Sequence, residues 1–304
     1  MGTDEAALIK NIVPFSNSEL QQLIEQYRKD IQRDLIPDIK SETGGNFKEL
    51  LLALLTASET YDSHLVRKAI EGIGTNEKLL SEVICTRSPD ELALIAKRYE
   101  SEFQKDLIKD IKSDTGGLYQ KTLLACFGVS DGRKGGVNKD KVAKDVVALY
   151  SAGEKKWGTD EDTFINLIAG QPRYAPTCNH VRAHVEAVAL EYGMKYGRHF
   201  NTVLSSEMSG DLKYALQVLC KSTPPTPLPQ FWADQFNIAM KGLGTDDSKL
   251  IRTLVSTYSR CLRDVTVQYL VLYKKSLKEA FGGETSGDYK KLLQAICDRF
   301  TASS

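Results

Sequence analysis

The chain has 304 residues, enough for a sizeable core and more than one domain-sized unit. Lysine plus arginine number 40 and aspartate plus glutamate 40, so the formal charge is zero and no basic stripe points to nucleic acid. A neutral chain also has little electrostatic pull toward anionic lipid, so membrane attachment would need positive charge from another source.

No stretch approaches the roughly 18 uninterrupted apolar residues of a spanning helix. The polar, acidic opening "MGTDEAALIK" is no signal peptide, and the expected location is the cytoplasm. Gly2-Thr3-Asp4-Glu5 leads into a helical pattern at Leu8 and Ile12. The threonine is expected to cap that helix, with the acids after it favouring the positive end of the dipole. "SNSELQQLIEQYRKDI" follows, with a capping serine and an aliphatic stripe. "RDLIPDIKSETGGNFKELLLALL" then reads as a helix, a glycine break and an apolar helix.

The same order returns in residues 61–128. "DSHLVRKAIEG" precedes Gly74-Thr75-Asn76-Glu77, then come "SPDELALIAKRYESEF" and "KDLIKDIKSDTGGLYQKTLLACF". "GVSDGRKGGVNKD" (128–140) reads as an exposed linker, and its "GRKGG" as linker rather than phosphate loop. Gly158-Thr159-Asp160-Glu161 opens the third copy, which carries an insertion around "QPRYAPTCNHVRAH". His180 and His184 stand there at a metal-ligand spacing, without a third ligand or an HExxH pattern. "KSTPPTPLPQ" (221–230), with Pro224 and Pro227 in PxxP spacing, reads as a semi-rigid linker. Gly244-Thr245-Asp246-Asp247 begins the last copy after "QFWADQFNIAMKG".

Strand-period alternation is absent, so the chain reads as all-α, with four homologous units at 1–60, 61–128, 137–222 and 229–304. The first unit opens at its glycine loop and lacks the helix that precedes the loop elsewhere. An apolar groove is expected where that helix would pack. The six cysteines are scattered without a CxxC and read as small buried hydrophobes in a reducing compartment. Nucleophile-elbow, Walker and catalytic-cysteine signatures are absent, so a binding protein is expected, not an enzyme.

A second regularity joins the loops to distant acids. Thr3 to Glu42, Thr75 to Asp114 and Thr245 to Glu284 are each 39 residues apart, and Thr159 to Glu207 48. Glycines let a loop turn its carbonyl oxygens toward one point, and carbonyls with one carboxylate suit a hard cation such as calcium. Two positive charges against one carboxylate leave a site that attracts a phosphate, which supplies the charge the neutral chain lacks. So few acidic ligands predict weak intrinsic affinity, toward the ~10⁻⁴ M end of the calcium range.

With the fourfold Gly-Thr-[Asp/Asn] pattern, twice as Gly-x-Gly-Thr, and an acid about 39 residues on, the whole chain resembles the annexin core. That resemblance implies four repeats of five short helices in a curved disc. Its calcium loops would dock peripherally on acidic phospholipid of the phosphatidylserine kind. By the same resemblance, the carbonyls of Met240, Gly242 and Gly244 with Glu284 form one calcium site. Ile70, Gly72 and Gly74 with Asp114 form another, and Gly153, Lys156 and Gly158 with Glu207 a third. Gly2 and Glu42 are what remains of a fourth, expected to be weak or empty. Trp157, at a loop tip, is implied as a membrane contact, a place that suits an amphipathic ring. A monomer in solution is expected. A membrane-associated channel, or a scaffold for a cytoskeletal or other protein partner, are the alternative functions.

Overall fold

The computed structural model describes residues 3–128, 137–155, 158–170, 183–221, 228–242 and 244–301. Nineteen helices and no strands occur among the described residues. The first repeat has four: α1 (Glu5–Ile12), α2 (Asn17–Ile31), α3 (Leu35–Glu42) and α4 (Gly45–Leu55). In the second repeat are α5 (Ser58–Ile70), α6 (Glu77–Ile84), α7 (Pro89–Phe103), α8 (Leu107–Asp114) and α9 (Gly117–Ala125). To the third belong α10 (Lys139–Ala152), α11 (Glu161–Ile168), α12 (Ala183–Tyr196), α13 (Phe200–Glu207) and α14 (Gly210–Lys221). The fourth has α15 (Leu228–Met240), α16 (Asp247–Tyr258), α17 (Leu262–Tyr273), α18 (Leu277–Glu284) and α19 (Gly287–Thr301). GRKGG and the Pro224–Pro227 stretch lie outside the described residues.

Local chemistry sets the helix ends. Ser16 and Ser88 each cap a helix through a complete capping box with Glu19 and Glu91, as the sequence predicts. Hydrogen bonds from the Ser16 backbone and hydroxyl hold the Glu19 carboxyl below its ordinary value. A carboxyl lowered on folding stabilises above its unfolded pKa and loses that contribution as pH falls through the folded one. The expected threonine caps require correction. Asp4, Asn76, Asp160 and Asp246 are the caps, each accepting from a backbone N–H three residues on. Their short polar side chains reach the first-turn amides, which leaves the threonine before them free for another partner.

The helices assemble into two compact units. One comprises Met1–Tyr61 with Pro229–Ser304, so the first repeat packs on the fourth, α4 lying against α16 and α19. Leu50, Leu51, Leu54, Leu250, Leu254, Leu292 and Leu293 are buried there. The Tyr258 hydroxyl lies 2.9 Å from the carbonyls of both Val13 and Phe15, donating to one at a time. Arg299 donates to the same two carbonyls and, at 2.6 Å, to the Tyr258 oxygen.

The other unit, Asp62–Leu228, pairs repeats two and three, with α14 against α6 and α9. Corresponding positions of the first two repeats differ in burial. In the second repeat Ile95 and Tyr99 on α7 are buried, with Arg67 on α5 3.4 Å from the Tyr99 hydroxyl. Their counterparts Leu23 and Tyr27 on α2 are half-buried, and Ile31 is 53% exposed. Cys85, Cys126, Cys220, Cys261 and Cys297 are buried, and Cys178 lies outside the described residues.

Within the second unit Asp62 and Arg87 form a bidentate ion pair at 2.7 and 2.8 Å, both residues about 1% exposed. Breaking such a pair from one side strands a buried charge. Asp62→Ala should therefore destabilise the chain by about 3–5 kcal/mol, read from the urea midpoint.

Candidate calcium sites

Each glycine loop between the first two helices of a repeat is closed by one backbone hydrogen bond. Asn76 N–H donates to the Ala69 carbonyl at 2.7 Å, Asp160 to Ala152 at 2.7 Å and Asp246 to Ala239 at 2.8 Å. The closing donor is the helix cap itself, so loop and helix start are fixed together. Ile70, Gly72 and Gly74, then Met240, Gly242 and Gly244, lie inside two of these rings. Gly72 and Gly74 have φ of 107° and 83°, and Gly242 and Gly244 of 127° and 90°, where a side chain would be strained. In the third repeat Gly153 and Gly158 lie inside the ring, Gly158 with φ 81°. Gly2, Lys156 and Trp157 lie outside the described residues.

Glu42, Asp114, Glu207 and Glu284 are each the last residue of an eight-residue helix. A carboxylate there adds to the negative end of the helix dipole, an unfavourable place for an anion and a favourable one for a cation. The loop threonine reaches across to this end. Thr75 donates to the Asp114 carbonyl at 2.9 Å and Thr245 to that of Glu284 at 3.1 Å. Thr3 donates to the Glu42 carbonyl at 2.7 Å and lies 3.2 Å from its carboxylate. Loop and acid, 39 residues apart, are thereby held side by side.

The third repeat makes the same join differently. Thr159 donates to the Glu207 carboxylate at 2.6 Å. A Cβ at Gly153 would stand 3.1 Å from that carboxylate, so the acid lies directly on the loop despite the insertion. Glu154, also in this loop, accepts from Tyr192 and Arg198.

The donor set distinguishes metal classes. Among the described residues no group of three or more His, Cys, Asp or Glu side chains could hold a metal. Each loop instead offers backbone carbonyls and one carboxylate, an all-oxygen set that fits a hard cation such as calcium and not zinc. His184 lies 2.6 Å from Asp145 on α10, which accounts for its role, and His180 lies outside the described residues. Beside the fourth-repeat loop is a cleft of about 550 Å³, lined by Gly244 and Glu284 together with Glu5, Asp247 and Asp288. These carboxylates deepen the negative potential near the loop.

One residue escaped the reading of the sequence. Ile73, between Gly72 and Gly74, is fully exposed at the loop tip. An apolar residue flanked by two loop glycines was the available signal.

Closed loops joined to acids at helix ends define an all-α repeat protein with recurrent loop–acid pairs. The annexin family model matches residues 1–54, 61–126, 145–219 and 231–296. Rabbit annexin A11 is 38% identical over 97% of this chain, which spans 57% of that relative's length. The solved structure of annexin III superposes with a TM-score of 0.87 at 31% identity, covering 98% of this chain and 89% of its own. A calcium-bound annexin (Sm)1 structure superposes at 0.83 with 26% identity, covering 97% and 85%. The chain belongs to the annexin family, of which calcium and phospholipid binding are characteristic.

Gly244→Ala should force the loop to rearrange, because its φ costs an L-residue on the order of 1–3 kcal/mol. Calcium affinity at that loop should fall about tenfold, measured by calorimetry, and the calcium-free melting temperature should fall by about a few degrees, because the same φ is held without the ion.

Proposed function

We propose that this chain binds acidic phospholipid membranes peripherally and only with calcium. The observation that carries the proposal is the threefold recurrence of a closed glycine loop held against a helix-terminal acid. Met240, Gly242, Gly244 and Glu284 would hold one ion; Ile70, Gly72, Gly74 and Asp114 a second. Gly153, Lys156, Gly158 and Glu207 would hold a third, for which Glu207 must exchange its bond from Thr159. Bound calcium supplies about one net positive charge per site and leaves coordination positions for a lipid phosphate oxygen. Similarity to a relative solved in a calcium-bound form supports the choice of ion. Repeat one keeps Glu42 and contributes least.

Ile73, and by the same logic Trp157, would enter the lipid interface beside the bridged phosphate. None of the described helices is long and apolar enough to cross a membrane, which favours binding at the surface over a spanning channel. A cytoplasmic monomer is the state proposed before calcium rises.

Co-sedimentation with phosphatidylserine vesicles across a calcium titration tests this reading. The chain should pellet only with calcium, steeply, because several sites engage one surface. Glu284→Gln should raise the calcium needed for half-binding several-fold, since it removes the only carboxylate of that site. A chain that stays in the supernatant at about 1 mM calcium would return the loops to the role of helix starts and favour a protein-binding scaffold.

A second substitution separates the apolar contact from the ionic one. Ile73→Ser should weaken binding at saturating calcium while leaving calcium affinity without lipid unchanged, because it removes the apolar contact without adding a charge.

A further inference from the structure

The third repeat makes its loop–acid join through the very bond that calcium would break. Thr75 and Thr245 donate to helix-end carbonyls, which stay in place when the carboxylate turns to an ion. Thr159 donates to the Glu207 carboxylate itself, and that bond is given up when the acid takes calcium. Another contact must then hold loop and acid together. We propose that Arg198 is the positioning residue of this site, clasping the loop through Glu154 and keeping it beside Glu207 when calcium enters. The inference rests on the third calcium site of the proposed function.

The clasp reaches both parts of the site. Glu154 follows Gly153 in the loop, and its side chain is 12% exposed. One of its oxygens accepts from Arg198 Nη1 and the other from the Tyr192 hydroxyl. Arg198 stands at the corner between α12 and α13, one residue before the His199 cap of α13. Its Nη2 lies 3.5 Å from the Ser206 hydroxyl, next to Glu207 in the last turn of α13. One guanidinium thus touches the loop and the helix that carries the acid. Its planar fork suits two partners at once, and a charge-assisted bond to a partly buried carboxylate is a strong one.

The loop needs this anchor more than the helix does. α13 is fixed by Phe200, Val203 and Leu204, all buried. Of the described loop residues, 153–155 and 158, only Gly153 is buried, and it has no side chain to pack. The other repeats show what the clasp replaces. Counted from the ring-closing alanines, Glu71 and Lys241 are the counterparts of Glu154. Arg67 on α5 joins Glu71 at 2.8 Å and lies 3.6 Å from Asp110 on α8, in addition to the Thr75 bond. Beside Lys241 the Thr245 bond to the Glu284 carbonyl stands. Among the described contacts, the arginine clasp is the side-chain join of the third repeat that survives the ion.

Positioning and plain electrostatics make opposite predictions for Arg198. A guanidinium near a calcium site repels the ion, so Coulomb energy alone has its removal raise affinity. If the clasp sets the loop, its removal lowers affinity, because the loop must then be ordered as the ion binds.

Calorimetry of the full chain with calcium tests this in an Asp114→Asn, Glu284→Gln background, which leaves the third site to be read. Arg198→Gln should lower calcium affinity about tenfold, the effect of one charge-assisted contact. Arg198→Lys, which keeps the charge without the fork, should recover part of the loss. Glu154→Gln should match Arg198→Gln, and the two together should add little, since both break one pair. In a Glu207→Gln background, Arg198→Gln should leave the calcium affinity of the second and fourth loops unchanged, which separates a local clasp from a general loss of stability.

Affinity that holds or rises on Arg198→Gln overturns the proposal, as does an equal fall in both backgrounds. A background chain that takes up no calcium removes the third site and this proposal with it. The calcium reading as a whole is judged apart, by sedimentation of the unaltered chain on phosphatidylserine vesicles.

Discussion

A threonine hydroxyl donating into the negative end of a short helix is the contact on which each repeat depends. Thr75 and Thr245 make it to the carbonyls of Asp114 and Glu284, and Thr3 to that of Glu42. That carbonyl already carries the partial charge of a helix terminus, and the residue's own carboxylate adds a full one. The hydroxyl offsets little of this. It does fix the glycine loop beside the charge, so what remains unneutralised faces the loop carbonyls. A cation is the natural complement. The repeats thus hold an electrostatic imbalance that calcium would relieve, and under the proposed function a neutral chain would acquire positive surface only with the ion bound.

Not every repeat strikes that balance in the same way. In the third, Thr159 donates to the Glu207 carboxylate itself, and the acid lies on Gly153. The join survives the insertion because the chain on either side of it still ends in α13, whose last residue is the acid. An ion there would compete with an existing hydrogen bond, whereas at Glu284 no described residue donates to the carboxylate. The proposed sites are therefore unequal in intrinsic affinity. The membrane surface would recruit them in order through effective concentration.

The scaffold that presents the loops is held by contacts of a different kind. Tyr258 and Arg299 clasp the carbonyls of Val13 and Phe15, joining the first repeat to the fourth. The Asp62–Arg87 pair is buried in the other unit. These contacts sit away from the glycine loops, so loop chemistry can vary without disturbing the core.

Much of this was legible in the chain because it is local. Glycines before a helix, serine–glutamate capping boxes and the repeated acid all act within a few residues or recur at constant spacing. The helices, the fourfold repetition and the loop–acid pairs could therefore be read directly. Assigning the cap to threonine rather than to Asp4, Asn76, Asp160 and Asp246 was a one-residue error, since both residue types cap well. Ile73 was passed over because exposure depends on how far a loop stands from its neighbours, which composition does not record. The pairing of the first repeat with the fourth lay beyond periodicity. Homologous repeats share one apolar pattern, so pattern alone cannot say which buries which. Specific contacts decide it, among them Tyr258 and Arg299 meeting Val13 and Phe15 across more than 240 residues. The sequence by itself determined the helices, the loops and the acids that pair with them. Only the tertiary structure decided which repeats pack together and which charges share a cleft, because both depend on side chains meeting across distances that no local spacing encodes.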